Sequence, residues 1–115
     1  MINYVDFEIL KGKVLTKVDV RDDLIVFYAD GETYEMYHMQ DCCERVYVES
    51  VVGDVNDLIG VPILLAEVSS SDDPNADELG RWTFYKLATI KGYVDIRWYG
   101  SSNGYYSVGV SVVRK

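Results

Sequence analysis

The chain has 115 residues and a net charge of −8, with 49% hydrophobic and 26% charged side chains. That length fits one domain, and the hydrophobic share excludes wholesale disorder and any need for a metal or disulfide in order to fold. The negative field argues against general nucleic-acid binding, and the longest apolar runs, such as 61–66, fall far short of the roughly 20 residues that a bilayer-spanning helix needs.

The charge is unevenly spread. Residues 1–79 carry 5 basic and 18 acidic side chains, and residues 80–115 carry 6 basic and 1 acidic. A basic C-terminal third suits a small anion, whereas the acidic remainder suits a basic surface on a partner protein. The segment that begins Met1-Ile2-Asn3 has neither a basic stretch nor an apolar one, so no secretory signal is expected and a cytoplasmic location is expected.

In chain order, Val14, Val18 and Val20 alternate with Lys17, Asp19 and Arg21, the period of a half-buried strand. A second strand is expected over 24–29. Asp30-Gly31 then signals a tight hairpin with positive φ at both turn positions, and a third strand follows over 32–40. Turns at 22–23 and 30–31 would pair Val20 with Ile25, Val18 with Phe27, Phe27 with Tyr34 and Ile25 with Met36. All six side chains then share one face, as a buried sheet face requires.

The next segment, residues 38–44, gathers the single histidine, His38, with Asp41, Cys42, Cys43 and Glu44. Adjacent cysteines on an extended strand point to opposite faces, so two reduced thiols are expected there. Zinc sites usually draw four ligands from separated pairs, so no metal is expected. Two readings of the cluster stand. In one, His38 activates Cys42 or Cys43 as a nucleophile with Asp41 orienting the ring. In the other, His38 bonds Asp23 across the hairpin and the cysteines are small buried hydrophobes.

A fourth strand is expected over 45–52, and one helical turn over 54–60 with Asp54 as its cap and Gly60 as its stop. A strand follows over 62–68. Residues 69–79, rich in Ser, Asp and Asn, read as a solvated, flexible surface loop. The last third reads as strands over 82–90, 93–99 and 105–113, with turns at Lys91-Gly92 and 100–104. A hairpin closed at 100–104 would set Trp98 against Tyr106, Ile96 against Val108 and Val94 against Val110 as a core face. Its opposite face would bring Tyr93, Arg97, Tyr99, Tyr105 and Ser107 together as a platform able to stack a base and hold a phosphate.

The expected architecture is therefore mainly β: an antiparallel meander or sandwich, or a partly open barrel, in a single domain spanning 1–115 with one short helix. No Gly-rich phosphate loop and no serine elbow is present, and no cofactor is expected. Exposed tyrosines on long strands also suit a homodimer.

The strings Tyr37-His38-x-Gln40-Asp41-Cys42-Cys43-Glu44, Gly53-Asp54-x-Asn56-Asp57-Leu58-Ile59-Gly60-x-Pro62-Ile63-Leu64 and Ile96-Arg97-Trp98-Tyr99-Gly100 resemble a small uncharacterised family of phage and prophage proteins, as does the run from Trp82 to Val94. The resemblance implies phage or prophage origin and action inside a bacterial cell. It carries over no catalytic residue, cofactor or substrate. Together these readings point to a non-catalytic accessory protein that binds a host protein or a small nucleotide-like anion, with an anti-defence role in view. A Cys/His-dependent enzyme and a virion structural or assembly protein are the alternatives.

Overall fold

A computed structural model of the chain describes residues 2–115. Its strands are β1 (Leu15–Val20), β2 (Leu24–Ala29), β3 (Glu32–Tyr37), β4 (Arg45–Val52), β5 (Leu65–Asp72), β6 (Leu79–Thr89), β7 (Gly92–Ser102) and β8 (Ser111–Arg114). They form two antiparallel four-stranded sheets, ordered β1-β2-β3-β8 and β4-β7-β6-β5, and neither closes into a barrel. The mainly β class read from the sequence is the class observed.

Helical structure is confined to 3-10 turns at Phe7–Leu10 and Val55–Leu58 among the described residues. The second is the turn expected at 54–60: the Asp54 carboxylate accepts the Asn56 N–H at 2.9 Å, an N-terminal cap. No helix of the described residues is long and apolar enough to cross a membrane.

The first sheet follows from its turns. Val20 pairs with Ile25, Val18 with Phe27, Phe27 with Tyr34 and Ile25 with Met36, the register that the turn chemistry dictates. Ile25, Phe27, Tyr34 and Met36 are fully buried, Val18 packs against them, and Val20 at the end of β1 stays exposed. Only Gly31 in the β2–β3 turn takes a positive φ, +73°, so the turn needs one left-handed residue rather than the two expected.

The last third departs from expectation. β7 does not pair with the segment that follows it: its neighbours are β6 and β4, in register Thr83 to Trp98 and Val48 to Trp98. A strand has only two hydrogen-bonding edges, and both edges of β7 are filled. The chain beyond Ser102 therefore crosses to the other sheet, where β8 pairs with β3 (Met36 to Val112). The expected pairs Trp98–Tyr106, Ile96–Val108 and Val94–Val110 do not form, nor do those of the opposite face. The β6–β7 turn lies at Ile90-Lys91, one residue earlier than expected. The strand expected at 62–68 begins at Leu65 and runs to Asp72, paired with β6 as far as Arg81, so the expected 69–79 loop narrows to 73–78.

What the alternation of β7 predicts about faces does hold. Val94, Ile96 and Trp98 are at most 1% exposed. They pack with Tyr85 and Leu87 of β6 and with the buried residues of the first sheet as one core. Trp98 joins the layers, since its indole N–H donates to Met36 Sδ at 3.1 Å. Tyr93, Asp95, Arg97 and Tyr99 are left on the outer face of the second sheet.

Candidate functional site

The outer face of the second sheet is built by register. Tyr99 of β7 lies opposite Tyr47 of β4 on one side and Trp82 of β6 on the other. The three rings meet in a row, with Trp82 and Tyr99 centroids 5.4 Å apart and Tyr47 and Tyr99 6.1 Å apart. One step along, Phe84 lies opposite Arg97, and beyond it Lys86 lies opposite Asp95.

A bulge in β4 places Glu49. The register slips between Val48 and Ser50, so Glu49 has no partner on β7 and its side chain is free to turn. Its carboxylate accepts the Trp82 indole N–H at 3.2 Å and pairs with Arg97 Nε at 2.7 Å. The Arg45 guanidinium sits 4.7 Å above the Tyr47 ring, and Lys86 pairs with Asp95 at 3.9 Å and lies 5.5 Å over Tyr93. The face therefore presents aromatic rings beside two cations paired with carboxylates, Arg97 and Lys86, and a third, Arg45, that lies over a ring.

Tyr99 is fixed from above. The 73–78 turn folds over it because β6 has glycine at position 80: a Cβ there would lie 2.5 Å from the Tyr99 hydroxyl and 2.7 Å from Ala76 Cβ. The Tyr99 hydroxyl donates to Asp73 at 2.7 Å. This bond to a carboxylate, joined by burial, pushes the phenol up to about 12, so Tyr99 stays a neutral donor. Cys43, Arg45, Asp73, Asp77, Glu78, Tyr99 and Ser101 border a groove of about 480 Å³ at this end of the face.

The residues singled out by sequence separate into two places. Tyr93, Arg97 and Tyr99 share the outer face as expected. Tyr105 and Ser107 do not join them, because the chain has left β7 by then; Tyr105 is 83% exposed and meets Tyr106 edge to face. Ser107 instead borders a depression shared with His38 and Asp41. Tyr47, Glu49 and Trp82 are absent from the expected platform; they join it because β4 and β6 both flank β7.

The His38 cluster is organised by Glu44. Beyond β3 the chain turns, and the Glu44 carboxylate, with 1% of its side chain exposed, draws the turn around itself. It accepts the N–H of Asp41 at 3.0 Å and of Cys42 at 2.9 Å, the Gln40 amide at 3.2 Å and His38 Nε2 at 2.8 Å. His38 Nδ1 is 2.6 Å from the Gly109 carbonyl. Both ring nitrogens are thus engaged, one by the Glu44 carboxylate and the other by the Gly109 carbonyl. The expected bond to Asp23 is not made. Glu44, rather than Asp23, is the histidine's side-chain partner, and His38 ties the turn to the crossing segment at Gly109.

Cys42 and Cys43 are bonded to each other, with sulfurs 2.05 Å apart, which corrects the expectation of free thiols. That expectation assumed an extended strand. Residues 38–44 lie outside the strands, where neighbouring side chains need not diverge. His38 has no nitrogen left for a thiol, and Asp41 contributes its backbone N–H rather than its carboxylate. No group of three or more His, Cys, Asp or Glu side chains placed to hold a metal occurs among the described residues.

Fold and face together define a small two-sheet β domain with an aromatic, charge-matched outer surface. The chain belongs to a family described as a domain of unknown function, DUF7448, whose model matches residues 8–112. No curated protein and no solved structure matches it.

Proposed function

We propose that this chain is a non-catalytic accessory protein of phage or prophage origin that docks a host protein through the outer face of its second sheet. The observation that carries this reading is the Tyr47–Tyr99–Trp82 row flanked by the Glu49–Arg97 pair. Tryptophan, tyrosine and arginine dominate the energetics of protein interfaces, because rigid rings bury large areas at small entropic cost. The charge matching favours a protein over a nucleotide-like anion. A phosphate would have to displace Glu49 from Arg97, and Asp73, Asp77 and Glu78 crowd the groove beside Arg45. The net charge of −8 favours a partner with a basic surface. Blunting of a host defence is the role we attach to such docking.

The test is capture of a host protein from bacterial lysate by the immobilised chain, repeated with Trp82→Ala and Arg97→Ala. Each substitution should weaken capture by ~2 kcal/mol or more, about 30-fold, while the melting temperature stays within a few degrees of the parent. Capture that both variants retain would remove this face as the docking surface. Equal loss of binding and stability would make the face structural.

A further inference from the structure

We propose that Cys42 and Cys43 form a redox-active pair, opened by an external dithiol and closed again by that reagent's disulfide form, and that its state reshapes the groove beside Tyr99. Sequence distance distinguishes this role from that of a structural staple. A disulfide stabilises mainly by removing freedom from the unfolded chain, and the effect grows with the loop it closes. The Cys42–Cys43 bond joins residues with a sequence separation of 1, so it closes almost no loop.

The turn is held by other means. The buried Glu44 carboxylate collects the Asp41 and Cys42 N–H groups, the Gln40 amide and His38, and none of these bonds uses a sulfur atom. Both cysteines are exposed, while Glu44 beneath them is buried. A thiolate therefore has access to the bond without unfolding of either sheet.

The exchange balances in two steps. One thiolate of the dithiol attacks a cysteine Sγ, the Sγ–Sγ bond breaks, and the departing sulfur takes up a proton. The second thiol of the reagent then displaces the remaining cysteine, which is protonated in turn. Two electrons pass to the pair, and the reagent leaves as its own disulfide.

Placement supplies the consequence. Cys43 borders the groove together with Arg45, Asp73 and Tyr99, and the Cys42 N–H is bonded to Glu44. Opening the bond frees the Cys43 side chain to move at the wall of that groove. This inference does not depend on a docked partner.

The experiment uses the whole chain purified without reductant and titrated with dithiothreitol and its oxidised form. Native alkylation with mass spectrometry should find no labelled cysteine before reduction, both labelled after it, and none again on reoxidation. Phenylarsine oxide, which bridges neighbouring thiols, should block reclosure. The Tyr99 ring resonances should shift between the two states, whereas those of Tyr28 on the other sheet should not. Thiols that are free from the outset and refuse to close overturn the pair. Loss of cooperative unfolding on reduction makes the bond a staple, and an unmoved Tyr99 removes the effect on the groove. Cys42→Ser and Cys43→Ser, each with one thiol that cannot close on a neighbour, should label in every condition.

Discussion

At Glu44 four donors converge on one carboxylate, and the pH response of the turn follows from them. Burial pushes this carboxyl up, but the bonds from His38 and from the Cys42 and Asp41 N–H groups outweigh burial and hold it down at about 2, against an ordinary 4.5. A folded-state value below the unfolded one stabilises the protein fully above about 4.5, and that contribution is lost as the pH falls towards about 2. Thermal unfolding at a series of pH values should therefore show the parent losing more stability across this window than Glu44→Gln does. At neutral pH the variant should melt lower, since its amide turns donors towards His38 and the backbone N–H groups. Parallel curves for the two proteins would show that Glu44 does not carry the acid response. At this scale the sequence disclosed the cluster but not its wiring. Glu44 stood in the cluster read from the sequence and Gly109 did not, and the choice of these two over Asp23 depends on where residues 38–44 turn.

At the scale of elements, β7 governs the second sheet, and its side chains divide as alternation requires. Trp98 is its anchor, 1% exposed and bonded across the sandwich to Met36. Trp98→Ala removes the indole from a closely packed core and should cost about 3–5 kcal/mol, read from the midpoint of denaturant unfolding. A loss below about 1 kcal/mol would mean that the two sheets close over the void. The same alternation that buries Trp98 sends Arg97 and Tyr99 outward, so the faces of residues 93–99 were legible, whereas 100–102 extend the strand into the expected turn. Its neighbours were not. Two strands compete for each edge, and nothing within 92–102 indicates that β4 and β6 prevail over the segment that follows. The mispairing cost the expected platform Tyr105 and Ser107 and concealed Trp82, Tyr47 and Glu49.

At the scale of the whole molecule, the charge of −8 acts over distances beyond any single pair. A basic partner should be steered onto the chain, so its association rate should fall as salt rises while its dissociation rate changes little, as read by surface plasmon resonance. An association rate that is flat with salt would leave the docking reading without its electrostatic argument. Composition and charge are sums over the chain, and they required no coordinates.

Although β3 stops at Tyr37 rather than at 40, the sequence by itself determined the class of fold, the register among the first three strands, and the inward or outward facing of the side chains over 93–99. These follow from period-2 alternation and turn stereochemistry, which act between residues close along the chain. Only the tertiary structure decided which strands border β7, where β8 goes, what His38 holds and which aromatic rings share a surface. Those outcomes come from competition for hydrogen-bonding edges and buried acceptors among residues far apart in sequence, and a local pattern carries no record of who wins it.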